Sequence, residues 1–256
     1  MIRSDYKWLT EVFVAHRGLF DNKNGIPENS LPAFRRAVEN GFGIETDVQM
    51  SSDGVLVVFH DDTLDRMTGV QGKLTDYTFE QLRQMRLIGT DCVIPTFKEF
   101  LQAANGVNLI VEIKAHGKTG EVEQKTRDAL LGYKGNYCIE SFDPFVVRWF
   151  KKNAPEVIRG QLSCDHKTSN LSLFKRWLLA NLKLCNWNGS QFIAYDVNTL
   201  ANVKAVKKYA KKIPIVAWTV KSKQQYEQAK PYIDNIIFDS FVPDSQSVEE
   251  QKSRNN

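Results

Sequence analysis

Eight short apolar runs, rich in β-branched residues, punctuate this chain, and amphipathic stretches of helical length lie between most of them. The runs fall at 12–15, 43–48, 109–114, 137–141, 157–162, 192–195, 213–219 and 235–239. The amphipathic stretches fall at 30–40, 120–131, 144–153, 171–185, 199–210 and 222–230. Strands joined through helices run parallel, because an antiparallel neighbour needs only a tight turn. Eight such units predict an α/β fold of the (β/α)8 TIM barrel type, and 256 residues is a length that one barrel fills.

One segment breaks the alternation. Residues 55–60, Val-Leu-Val-Val-Phe-His, read as a strand, yet only Ser51-Ser52-Asp53-Gly54 separates them from the run at 43–48. So short a connection returns the chain antiparallel as a hairpin. The expected register brings His60 near Glu45. Two short helices follow, at 78–85 and 96–104, the second opened by a capping box of Thr96 and Glu99. Residues 49–106 are therefore an insertion between barrel strands two and three. A single domain is expected over 1–242, followed by a polar, disordered tail at 243–256.

Composition excludes several functions. The net charge is +4, and positive and negative residues alternate without forming the basic stripe of a nucleic-acid binder. No apolar run reaches the roughly 18 residues of a membrane span, and the N-terminus lacks a signal-peptide core. The four cysteines, Cys92, Cys138, Cys164 and Cys185, show no metal-binding spacing. A cytoplasmic protein with free thiols is the expectation.

The chemistry-bearing residues gather at strand ends, where barrel enzymes place their sites. His16-Arg17-Gly18 follows the first strand, and Pro27-Glu28-Asn29-Ser30 opens the next helix, with Asn29 or Ser30 as its cap. Alternation along the second strand puts Glu45 and Asp47 on one face. Two buried carboxylates side by side require a neutralising charge, either a cation or a Lys or Arg partner. Oxygen ligands of this kind suit Mg2+ or Ca2+. Glu112 and Lys114 share a face of the third strand, where they either pair with each other or serve a metal and a phosphate. His60 joins His16 as the second imidazole near the site. A phosphodiester needs one group to accept a proton and one to donate it, and two histidines fit that task. His116 is expected beside the site or in solvent. Phe142 and Trp218, at later strand ends, either pack the core or wall a substrate pocket.

In this order, His-Arg-Gly, Pro-Glu-Asn-Ser, Glu-x-Asp, His-Asp and Glu-Ile-Lys, the motifs resemble the glycerophosphodiester phosphodiesterase family. The likeness continues in the segments starting at His60, Leu74, Ile94, Ser141 and Trp218, and spans nearly the whole chain. The resemblance implies a distorted TIM barrel with a small insertion. It implies Glu45, Asp47 and Glu112 as metal ligands, His16 and His60 as the acid–base pair, and Arg17 and Lys114 on the phosphate. Glu28, Asn29, Phe142 and Trp218 are further candidates for substrate contact. The implied reaction converts small glycerophosphodiesters to glycerol 3-phosphate and an alcohol. Two positions depart from the family pattern, Lys221 after Trp-Thr-Val and Phe238 before Asp239; both bear on head-group preference.

A lysophospholipase D-type activity is the alternative enzyme. Its motive is the segment 171–185, strongly apolar with Lys175, Arg176 and Lys183 interspersed, which suggests peripheral lipid contact. The plainer reading of that segment is an outer barrel helix with a buried apolar face. A non-catalytic phosphate-binding module would have lost a histidine or a carboxylate, and none is missing.

Overall fold

The computed structural model describes residues 6–114, 116–117, 119–167 and 171–253. Helix α1 (Trp8–Glu11) and strand β1 (Val14–His16) come first. The chain forms two compact units, one of residues 15–136 and one of the segment ending at Val14 with everything from Tyr137 onward.

In the first of these, Ser30 has an extended backbone and its Oγ accepts from the Ala33 amide, so helix α2 (Leu31–Glu39) starts there with Pro32 in its first turn. It buries Ala33, Phe34 and Ala37, and Gly41 at φ +71° ends it. Strand β2 (Gly43–Met50) is buried along almost its whole length. Strand β3 (Leu56–Val58) returns antiparallel, as its short connection requires. The register is one residue away from the expected one: Val48 pairs with Val58, Gln49 with Val57 and Met50 with Leu56. The cause is the turn. Ser51 N donates to Val55 O, which makes a three-residue loop with Gly54 in the left-handed region at φ +80°. Phe59 N consequently donates to Asp47 O, and His60 follows close enough to act electrostatically on Asp47.

The insertion carries helices α3 (Asp65–Thr68), α4 (Phe79–Arg83) and α5 (Phe97–Ala103). Thr78 with Gln81 and Thr96 with Glu99 form complete capping boxes at α4 and α5. Val57, Phe59, Leu64, Met67, Leu74, Leu82, Leu87 and Ile94 make a small core of the insertion's own. Strand β4 (Leu109–Ile113) pairs parallel with β2, setting Asp47 opposite Glu112. Helix α6 (Glu121–Leu130) completes this unit.

The other unit alternates regularly. Strand β5 (Tyr137–Ser141), helix α7 (Pro144–Asn153), strand β6 (Ile158–Ser163), helices α8 (Leu173–Ala180) and α9 (Cys185–Asn188) and strand β7 (Phe192–Asp196) come first. Helix α10 (Lys204–Tyr209), strand β8 (Ile215–Val220), helix α11 (Lys223–Ala229), strand β9 (Asn235–Phe238) and helix α12 (Ser245–Ser253) follow. Strands β5 to β9 pair parallel in chain order. Gly160 in β6 leaves room for the Phe192 ring, which a Cβ there would meet at 2.3 Å.

Two sequence expectations need correction here. The stretch 171–185 is not one helix: Leu182, at φ +54°, separates α8 from α9, and no residue of α8 is buried. The tail is not disordered through 253. Asp244 Oδ1 accepts from the Ser247 amide at the start of α12, and the buried Gln251 side chain donates to the Thr10 and Asp234 carbonyls. A polar residue with two buried acceptors fixes this helix, which an apolar count does not register. Residues 254–256 lie outside the described ones.

The eight parallel strands, β1, β2 and β4 to β9, with helices between them, make the (β/α)8 TIM barrel fold; β3 is the additional strand.

Candidate active site

Glu45 and Asp47 sit two apart on β2 and are 3% and 1% exposed; Glu112, on β4, is 7% exposed. The strand register carries Glu112 to Asp47, and one carboxylate oxygen from each of the three residues lies within 4.8 Å of the others. Lys114 Nζ bridges two of them, 3.2 Å from Asp47 Oδ1 and 2.9 Å from Glu112 Oε1. The pairing of Glu112 with Lys114 that the sequence left open is therefore real, and it includes Asp47.

The loop after β1 folds back onto these carboxylates. Arg17 adopts a left-handed backbone at φ +55°, which turns its amide to Glu45 Oε2 at 3.1 Å. Gly18 follows at φ +80°, and a Cβ there would meet the Ala33 carbonyl carbon at 2.8 Å, so this turn excludes larger residues. The Arg17 side chain reaches Glu28 Oε1 at 2.6 Å and places Nε 3.5 Å from Asp47 Oδ2. Asn29 donates to Asp47 Oδ2 at 2.9 Å and accepts from the Thr46 hydroxyl at 2.8 Å. These two bonds assign which end of the amide faces the carboxylate.

Burial and neighbours push the two paired carboxyls apart. Burial opposes ionisation of Asp47, but Lys114, His60, Arg17 and the Asn29 amide together hold it well below the usual carboxylate range. Burial pushes Glu112 up; Lys114 offsets part of this and Asp47 adds to it. Burial also works against the charge on Lys114, and Glu112 and Asp47 overcome it.

His16 Nε2 lies 3.9 Å from Glu45 Oε2. His60 Nδ1 lies 2.6 Å from Asp61 Oδ1. Arg66 grips that Asp61 through Nε at 2.6 Å and Nη2 at 3.0 Å, and grips Glu28 through Nη1 and Nη2 at 2.9 and 2.7 Å. A continuous chain of charges thus runs from His60 through Asp61, Arg66 and Glu28 to Arg17. Two arginines hold the Glu28 carboxyl down at about 2 against the effect of burial.

Five carboxylates, Glu28, Glu45, Asp47, Asp61 and Glu112, face three permanent cations, Arg17, Arg66 and Lys114, leaving two negative charges in excess. Asp47 Oδ1 is buried and faces the Lys114 ammonium at 3.2 Å. Three buried carboxylates converging on one point, with a single ammonium shared by two of them, fit a divalent cation held by oxygen ligands.

A scan against protein-family models matches residues 16–245 to the "Glycerophosphoryl diester phosphodiesterase family". The chain belongs to this family. A glycerophosphodiester phosphodiesterase of Caldanaerobacter subterraneus subsp. tengcongensis is 33% identical over 243 residues, 88% of this chain and 93% of that one. A solved glycerophosphodiester phosphodiesterase structure from Thermotoga maritima superposes with a TM-score of 0.68 at 25% identity, covering 89% of this chain and 94% of that one. A phosphodiesterase of Oleispira antarctica, solved with sn-glycerol-3-phosphate, superposes with a TM-score of 0.73 at 22% identity, covering 96% and 98% of the two chains. This family member is accordingly a phosphoric diester hydrolase acting on glycerophosphodiesters.

Of the expected site residues, the unit of residues 15–136 gathers His16, Arg17, Glu28, Asn29, Glu45, Asp47, His60, Glu112 and Lys114. Phe142 and Trp218 belong to the other unit, where their rings meet edge to face at 5.5 Å. His116 is exposed and its Nε2 lies 2.9 Å from Gln49 Oε1.

Sequence reasoning missed Gln49 and the role of Arg66. Gln49 is fully buried, and its Nε2 donates to the carbonyls of Phe59 and Asp61 on either side of His60. A polar residue at the next alternate position after Glu45 and Asp47 was the available signal. Arg66 pairs across 38 positions, a separation that periodicity does not report.

Proposed function

We propose that this enzyme hydrolyses glycerophosphodiesters to glycerol 3-phosphate and an alcohol, with a divalent cation, Mg2+ or Ca2+, held by Glu45, Asp47 and Glu112. The observation that carries the reading is the convergence of those three buried carboxylates beside Arg17 and Lys114. A bound cation would stabilise the negative charge that develops on the phosphoryl oxygens.

The chain's own residues supply the rest. Arg17 and Lys114 present N–H groups to the phosphate: Arg17 is steadied by Glu28, and Lys114 keeps its charge between Asp47 and Glu112. His16 and His60 exchange protons with the attacking oxygen and the departing alkoxide. With Nδ1–H directed at Asp61, His60 leaves Nε2 as the atom that takes or gives the proton. Asn29 orients Asp47, and Phe142 and Trp218 are aromatic candidates for contact with the alcohol group.

Turnover of glycerophosphocholine, glycerophosphoethanolamine, glycerophosphoglycerol, glycerophosphoinositol and lysophospholipids in EDTA, then with Mg2+ or Ca2+ restored, tests this. Activity lost in chelator and recovered with the ion is the expected result. Full turnover in EDTA refutes the metal role, and exclusive turnover of lysophospholipids refutes the substrate class.

A further inference from the structure

The helix α8 lies between β6 and β7 and does not behave like a barrel helix. An amphipathic helix on a barrel buries its apolar stripe against the strands. In α8 three large apolar side chains point the other way, Leu173 at 80% exposed, Phe174 at 68% and Trp177 at 51%, while Leu178 and Leu179 are half-buried. Leu171, just before it, is exposed as well. The Phe174 and Trp177 rings stack at 6.3 Å, and the Lys183 ammonium lies 5.0 Å from the Trp177 ring centre.

This face is held in place from behind. The Ser163 hydroxyl donates to the Leu179 carbonyl at 3.0 Å, and the Tyr195 hydroxyl to the Ala180 carbonyl at 2.9 Å. Leu182 is buried just beyond the helix. The helix is thus anchored at its C-terminal end through backbone carbonyls, which leaves its aromatic side chains for something else.

The charge around it indicates what that is. Between Asp165 and Asp196 the sequence contains Lys167, Lys175, Arg176 and Lys183 and no Asp or Glu; Asp165 pairs with Lys167 at 3.2 Å, which leaves Lys175, Arg176 and Lys183 as the cations of the helix and its exit. An aromatic, apolar face that carries Lys175, Arg176 and Lys183 matches the boundary of an anionic bilayer, where rings enter the acyl region and ammonium groups meet phosphate. A protein partner would require acidic groups set at particular points, whereas a lipid surface requires only this combination.

We propose that α8, with Lys175, Arg176 and Lys183, docks this enzyme on an anionic phospholipid surface. The proposal is independent of the reading of the active site, because binding is measured without turnover.

Co-sedimentation of the full chain with phosphatidylglycerol–phosphatidylcholine vesicles, and with pure phosphatidylcholine vesicles, tests it at low and high salt. The protein should partition onto the anionic vesicles, and raised salt should weaken this by screening. The double variant Phe174→Ser, Trp177→Ser should partition about tenfold less, and Lys175→Glu, Arg176→Glu should lose the preference for anionic lipid. Circular dichroism and thermal melting unchanged from wild type establish that the variants are folded, since the altered side chains face solvent. No partition onto anionic vesicles, or equal partition by wild type and the aromatic variant, overturns the proposal. A concentration-dependent dimer abolished by the same variant, without vesicle binding, assigns the face to a second copy of the chain and overturns it too.

Discussion

His60, the proposed proton carrier, is held in place by its neighbours. Asp61 holds its Nδ1, Arg66 holds Asp61 with two nitrogens, and Gln49 holds the backbone on both sides. Replacing His16 or His60 by Ala should lower kcat by about 10²–10⁴-fold, measured on glycerophosphocholine; a loss of only a few-fold in either would remove that histidine from proton transfer. Arg66→Gln should lower kcat and also raise KM, because it loosens both Asp61 behind His60 and Glu28 behind Arg17; an unchanged kcat would show that Arg66 does not position His60. Glu28 yields a pH prediction. Its folded value, about 2, lies below its ordinary 4.5, so the stability it contributes is present above pH 4.5 and is lost as pH falls toward 2. The contribution is at most about 3 kcal/mol, reduced by screening because Arg66 is half exposed. Acid unfolding followed by circular dichroism should show a shallower loss across that window in Glu28→Gln than in wild type.

At the scale of elements, strands and capped helices were readable wherever the cause was local. Tyr137–Ser141 and Pro144–Asn153 fall where the sequence pattern puts them, and Thr96 caps α5 with Glu99 as expected. Register was less readable, because it depends on one residue of loop length. A three-residue turn at Ser52–Gly54 shifts the pairing by one residue and sets Phe59 against Asp47, and no apolar pattern near the turn reports that difference. The exposure of α8 was not readable either. A stripe of Leu, Phe and Trp has the same spacing whether it meets a barrel wall or a bilayer, and only tertiary structure separates the two. The contact between neighbouring strands at Gly160 offers a check on packing. Gly160→Ala drives a methyl into the Phe192 ring and should destabilise the protein by about 1–3 kcal/mol, read as a lowered urea midpoint.

For the whole molecule, the barrel class and nearly the whole candidate cluster could be read from an ordered set of short motifs, since each lies at the end of a strand that the apolar pattern marks. The pairings between distant loops could not, because they depend on how the insertion folds back. Metal binding at the proposed site should raise the stability of the native state as a whole. At an ion concentration 100-fold above its Kd the gain is about 2.7 kcal/mol, readable as a rise of several degrees in Tm. Glu45→Gln should abolish most of that rise while leaving the melting temperature in EDTA close to wild type; a full rise in the variant would argue against Glu45 as a ligand.

Lys114 sits between Asp47 and Glu112 with its charge intact. It is an internal counter-ion, a placeholder that quiets two buried acids whether or not a metal is present. On the proposed reading, the enzyme should therefore not depend on the cation to fold. Chelation should silence it without unravelling it, and returning the ion should revive it within the time of mixing, with no refolding step between.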